Sequence, residues 1–161
     1  MAASNSTGLP LTLSAASPLW RYGPIRDGPL DKGWNAGYSG NLDVDNGRGV
    51  SPVGIPIRRT QHVGSTIELP FTGHGATLCF SPGSGAFKIT VDGLEANASQ
   101  VTPAADSSVC VPNEAAPIER AFSVSGLDGT KSHLVQFEVT SAPNAFVFYG
   151  GNYEMPAEDA G

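Results

Sequence analysis

Three windows of this sequence alternate apolar and polar residues with a period of two. In TIELPF the residues Ile67, Leu69 and Phe71 fall on one side. In AFKITVDG they are Phe87, Ile89 and Val91, with Lys88 and Thr90 opposite, and in SHLVQFEVT they are Val135, Phe137 and Val139, with Gln136 and Glu138 opposite. Side chains alternate across a strand, so this rhythm describes half-buried strands, whereas a helix needs apolar spacing of three and four. GATLCFS sets Ala76, Leu78 and Phe80 against Thr77 and Cys79, AFSV has Phe122 and Val124 in phase, and NAFVFYGG sets Phe146 and Phe148 against Val147 and Tyr149. Asp92-Gly93 and Asp128-Gly129 are strong turn signals. The windows at 66–71, 75–81 and 86–91 follow one another closely and predict a meander, with Pro70 marking an edge or an end of its strand.

Gly 20 and Pro 13 in 161 residues favour short strands joined by many turns. The length suits one domain. Half-buried sheets must bury their apolar faces against each other, so the expected fold is all-β, an antiparallel jelly-roll β-sandwich, with a lipocalin-like closed barrel as the alternative. The expected domain is 11–150, with flexible termini at 1–10 and 151–161. Residues 35–65 are dense in Gly, Pro and Asn and read as long loops with one strand near Tyr38 to Leu42. Loops of that length inside a compact domain usually serve a function, so function is sought there and between Trp20 and Trp34.

A net charge of -6 without a basic tract repels phosphate backbones, and nucleic acid is not an expected partner. No run approaches the roughly 18 to 20 apolar residues of a membrane-spanning helix. The first residues lack a basic region and a continuous apolar stretch and do not read as an intact signal peptide; a removed leader is the expectation. Cys79 and Cys110 both sit in apolar contexts. A bond between them closes a loop of about 32 residues and stabilises the fold by roughly 3 to 4 kcal/mol on chain-entropy grounds; two buried thiols are the alternative. The acceptor triplets NST at Asn5 and NAS at Asn97 favour the disulfide, N-glycosylation, and a secreted or cell-surface location.

The order of these segments, SPLWRYGP, then GSTIELPFTGHGATLCFSPGSGAFKITVDG, later AFSVSGLDGTKSHLVQFEVT and finally AFVFYGG, resembles the galactose-binding-like jelly-roll ectodomains of fungal cell-surface and secreted proteins, which are similar to carbohydrate-binding modules. Trp20, Phe71, Gly73, Gly75, Phe87 to Gly93, Gly126, Leu127 and His133 carry the resemblance, over roughly residues 11 to 150. The chain departs from it in a long insertion between Trp34 and His62 and in CFSPGSG, where the family carries an aromatic-rich turn. The resemblance implies an extracellular sandwich with a carbohydrate partner; activity does not transfer with fold.

A sugar offers an apolar C–H face and a rim of hydroxyls, so its site needs an exposed ring bordered by polar groups. Trp34 and Tyr38 are assigned to stacking, Trp20 or Tyr22 to supporting the pocket, and Asp27, Asp31, Arg58 and His62 to the hydroxyls, with Arg26 a further ligand-binding candidate. The competing reading makes each tryptophan a core or capping residue, and pairs Arg21 and Arg26 with Asp27 or Asp31. Asp43, Asp45 and Asn46 resemble a fragment of a calcium loop without its later bidentate acid; an Asx-stabilised turn is the plainer reading, and no other cofactor is expected. No G-x-S-x-G elbow or H-E-x-x-H helix is present. A non-catalytic carbohydrate-binding module is therefore the main expectation. Its rivals are a small enzyme using His62 or His74 beside a carboxylate, and a structural or adhesive ectodomain with a flat apolar patch.

Overall fold

The computed structural model describes residues 9–25, 29–39, 54–110 and 118–155. Among them are twelve strands and no α-helix: β1 (Leu9–Leu13), β2 (Arg21–Gly23), β3 (Asn35–Tyr38), β4 (Pro56–Thr60), β5 (Thr66–Thr72), β6 (Gly75–Ser81), β7 (Ala86–Val91), β8 (Leu94–Glu95), β9 (Val101–Pro103), β10 (Arg120–Val124), β11 (Ser132–Ser141) and β12 (Phe146–Met155). They form a two-sheet antiparallel β-sandwich. The larger sheet runs β3-β4-β12-β6-β10-β9, with β1 also paired to β12, and the smaller runs β2-β5-β11-β7-β8.

The inward residues of the alternating windows meet between the sheets. Ile67, Leu69, Phe71, Ile89, Val135, Phe137 and Val139 from the smaller sheet face Leu78, Phe80, Phe122, Phe146 and Phe148 from the larger, all buried. Phe80 packs edge-on against Phe87 and Phe137 with ring centroids 4.9 and 5.1 Å apart, and Phe137 meets Phe146 at 5.5 Å. Burying one such ring is worth about 1.5 to 3 kcal/mol, so this group anchors the sandwich.

The expected meander is not what forms. β5 and β7 belong to the smaller sheet and both flank β11, while β6 between them in sequence lies in the larger sheet between β12 and β10. Alternation reports which side of a strand is buried; it carries no information about its partner. Every residue of β6 is buried, because its outer face is covered as well. A second apolar cluster of Ile57, Cys79, Ala104, Cys110, Ala121 and Tyr149 lies there, and the Cys79–Cys110 disulfide is formed within it. Pro70 sits beyond the end of β2, which pairs β5 only at Thr66, Ile67 and Glu68, so its missing N–H faces no ladder on that side.

The boundaries also differ from expectation. β12 continues to Met155 and β1 begins at Leu9, because these two segments pair with each other from Leu9 opposite Met155 to Leu13 opposite Gly151. The strand expected near Tyr38 to Leu42 is β3, which starts earlier at Asn35 and pairs with β4, a strand inside the stretch read as loop. Leu42 lies outside the described residues.

Candidate functional site

Both tryptophans are interior, which corrects the assignment of Trp34 to an exposed stacking platform and makes Trp20 the core residue of the competing reading. Trp34 is 0% exposed and donates from Nε1 to the carbonyl of Thr66 at 2.9 Å, tying the start of β3 to β5 of the other sheet. Trp20 is 4% exposed, donates from Nε1 to the Ser14 carbonyl at 2.9 Å, and packs edge-on against Phe148 at 4.8 Å. Tyr22, half-buried, lies 5.8 Å from Trp34 and donates its hydroxyl to the Ala15 carbonyl at 2.6 Å. Arg58 holds its guanidinium carbon 5.2 Å above the Tyr22 ring, a cation–π contact, while its Nε is buried without a hydrogen-bond partner. Burial pushes the Tyr22 phenol far above its usual range, and the neighbouring Arg58 only partly offsets this. The structure thus brings Trp20, Tyr22, Trp34 and Arg58 together as a seam between the sheets. A sugar ring cannot stack on a face already covered by protein.

The remaining assignments scatter. Asp31 is exposed on a 3₁₀ turn, Leu30–Lys32, and Tyr38 is half-buried on β3 opposite Pro56. His62 belongs to the corner between β4 and β5, where its Nδ1 lies 3.2 Å from Ser65 Oγ and its backbone N–H donates to Thr60 Oγ1. Ser65 is 0% exposed, so this serine–histidine pair has no access to a substrate. His74, half-buried, has Nδ1 3.4 Å from the Leu127 carbonyl. Arg26, Asp27, Asn5 and the calcium-loop candidates Asp43, Asp45 and Asn46 lie outside the described residues. Among the described residues no group of three or more His, Cys, Asp and Glu side chains is placed to hold a metal. Nor, among them, is any helix long and apolar enough to cross a membrane. Among the described residues, the exposed large apolar side chains Leu9, Leu11, Leu19, Ile25, Val63 and Leu94 are spread over β1, β8, two separate turns and the isolated bridge of Ile25 with Trp34.

The organised polar surface is elsewhere, on the outer face of the smaller sheet. Residues directly opposite in antiparallel strands share a face. Arg21 stands opposite Glu68, Glu68 opposite Gln136, Gln136 opposite Thr90, and Thr90 opposite Glu95, making one polar row that crosses all five strands. Four interstrand gaps give it a span of about 19 Å. A second row places Thr66 opposite Glu138 and Glu138 opposite Lys88. The solvated face of an antiparallel sheet is commonly polar; this one is also bonded across its strands. Gln136 donates from Nε2 to Glu68 Oε2 at 2.9 Å and accepts at Oε1 from Thr90 Oγ1 at 3.3 Å, which fixes its amide at both ends. Thr66, Glu68, Lys88, Thr90, Gln136 and Glu138 line a shallow depression of about 220 Å³ there. Such a surface presents hydroxyl, amide and carboxylate groups in fixed positions to a hydroxyl-rich ligand. The sequence shows these residues only as the outward positions of alternating strands; assembling them needs register between residues as distant as Glu68 and Gln136.

No family model matches the sequence, and no curated protein matches it. Among solved structures, the chain is similar to a two-domain esterase (CEX) active on acetylated mannans, with a TM-score of 0.51 and 11% identity, over 96% of this chain and 38% of that one. The same esterase co-crystallised with mannopentaose gives a TM-score of 0.47 and 12% identity, over 92% and 37%. The chain therefore spans well under half of the esterase's length, and the likeness is one of fold: an all-β, two-sheet sandwich that occurs as part of a larger, multidomain protein.

Proposed function

We propose that this chain is a non-catalytic carbohydrate-recognition module that holds a neutral polysaccharide on the outer face of the smaller sheet. The observation that carries the reading is the cross-strand row Arg21, Glu68, Gln136, Thr90 and Glu95, with Gln136 locked between two neighbours. Preorganised polar groups lose little freedom on binding, which is how a shallow face acquires affinity. Three carboxylates, Glu68, Glu95 and Glu138, stand against two cations, Arg21 and Lys88, so an anionic glycan is disfavoured relative to a neutral one. The resemblance of the fold to part of an esterase active on acetylated mannans makes mannans the first class to try. The jelly-roll, galactose-binding-like topology and the secreted or cell-surface location belong to the same proposal; a disulfide buried on the larger sheet supports an oxidising compartment.

Titration calorimetry with soluble mannan, other neutral glycans and an acidic glycan tests it. Binding of a neutral glycan, weakened about tenfold or more by Glu68→Ala and by Gln136→Ala, is the expected result, each substitution removing hydrogen bonds to the ligand. The absence of heat with every glycan, or affinity untouched by both substitutions, overturns it.

A further inference from the structure

The sheet face continues around an edge. A groove of about 430 Å³ runs along β7, with Phe87, Ile89 and Val101 as its apolar wall and the exposed Lys88, Glu95 and Asn97 at its rim. It exists because β8 is only two residues long and pairs β7 at Thr90 and Val91, with one more bond from the Ala96 N–H to the Ile89 carbonyl, leaving Ala86 to Lys88 without a strand on that side. Lys88 lines both this groove and the depression on the sheet face, and Glu95 is both the last member of the polar row and part of the rim. A polymer lying along the row therefore reaches the groove without leaving the protein surface.

We infer that the groove receives a short O-acyl ester carried by the polysaccharide on the sheet face, an inference that rests on the carbohydrate reading above. The chemistry of the walls selects that substituent. The side chains of Phe87, Ile89 and Val101 offer a bare sugar hydroxyl no hydrogen-bond partner, and burying it against them costs free energy. An anionic substituent meets the Glu95 carboxylate as well as the Lys88 ammonium, so the charges at the mouth give it no net advantage. An acetyl-sized group presents a methyl to the apolar wall and a carbonyl oxygen that accepts from the Asn97 carboxamide or the Lys88 ammonium at the mouth. The groove, at about 430 Å³, has ample room for such a group. Asn97 is also a glycosylation acceptor by sequence; a glycan there would cover the mouth, so ester recognition is a property of the unmodified chain.

The test measures binding of O-acetylated glucomannan, and of the same polymer after alkaline deacetylation, to the unglycosylated protein and to Ala98→Trp, an exposed position in the groove lining where an indole fills the space. Deacetylation is expected to weaken binding to the parent about tenfold, the scale of one lost hydrogen bond with its apolar contact. Ala98→Trp should bind both polymers with the deacetylated affinity, and Asn97→Asp should lose part of the preference. Equal binding of the two polymers by the parent, or a preference that survives Ala98→Trp, overturns the groove assignment while leaving the sheet face in place. If neither polymer binds, the sheet-face reading itself falls and the inference falls with it.

Discussion

His133 Nδ1 lies 2.7 Å from Asp92 Oδ2, and across the ring Nε2 lies 2.8 Å from the carbonyl oxygen of Asp128. Both neighbours are acceptors, and only the imidazolium has an N–H for each. The other Asp92 oxygen accepts from the Leu134 N–H at 2.8 Å, and the ring sits 5.7 Å from Phe71. One side chain of β11 thus ties the Asp92-Gly93 turn to the loop before its own strand. Burial of the ring opposes its charge, but the bonds to Asp128 and Asp92, with the charges of both aspartates, outweigh it and raise the His133 pKa. Asp92 is shifted the other way: its partial burial is outweighed by the bonds from His133 and the Leu134 N–H, which hold its carboxyl below the usual value.

These directions fix a pH window. A raised histidine pKa contributes stability that is complete below the ordinary value and is lost as pH rises through the raised one. A lowered carboxyl pKa contributes stability that is complete above its ordinary value and is lost as pH falls through the lowered one. The contact is therefore whole between about pH 4 and pH 6.5, the ordinary values of the two groups. Urea unfolding should show lower stability near pH 8.5 than near pH 6, and His133→Gln should erase most of that difference while costing about 1 kcal/mol near pH 6, a modest figure because Asp92 is partly exposed. Equal pH dependence in parent and variant would refute the assignment.

Gly150 illustrates a constraint of shape. It lies at the register shift of β12 with a φ of 92°, and a Cβ there would run into the backbone of Leu13, Ser14 and Ala15, where the chain leaves β1. Gly150→Ala should destabilise the protein by about 2 to 3 kcal/mol through strain and displacement together. Gly93, with a φ of 85° and open space around its Cβ, isolates the strain: Gly93→Ala should cost about 1 kcal/mol. Thermal unfolding of both variants checks the difference; equal losses would mean that backbone crowding at Gly150 is unimportant.

The disulfide joins β6 to the stretch after β9 across a sequence separation of 31 and is buried under Ile57, Ala104 and Tyr149. Cys79→Ala together with Cys110→Ala should lower the unfolding free energy by about 3 to 4 kcal/mol, most of it through the freer unfolded chain. Because the bond is on the outside of the larger sheet, opposite the polar row, glycan affinity should not change in the fraction that stays folded. Calorimetric binding below the lowered melting temperature measures this, and a loss of affinity would relocate the site toward the larger sheet.

Inward faces were legible in the sequence because alternation is a local signal: Phe87, Ile89 and Val91, like Val135, Phe137 and Val139, pack on the core as their spacing requires. Partners were not legible. β6 lies between β12 and β10 because of contacts far along the chain, and its outer face is buried because Ala104 and Cys110, the latter bonded to Cys79, pack over it. Trp34 misled for the same reason. Its neighbours Lys32, Gly33 and Asn35 suggest a wet surface, yet its ring lies in the core and bonds to the carbonyl of Thr66, 32 residues away. The polar row is the converse case, a surface whose members are individually ordinary outward residues and acquire meaning from register.

That difference separates the seam from the sheet face experimentally. Trp34→Phe removes the indole N–H that bonds to the Thr66 carbonyl and leaves a smaller ring in a fully buried site. It should cost about 2 to 4 kcal/mol of stability. Thr66 also faces the polar depression, but through its side chain, which the substitution does not touch. Glycan affinity in Trp34→Phe should therefore match the parent, and tryptophan emission should shift little on glycan addition, since both indoles are buried in the seam. Glu68→Ala should do the reverse, weakening glycan while barely moving the melting temperature. A Trp34→Phe variant that loses glycan at unchanged stability would place the ligand at the seam after all.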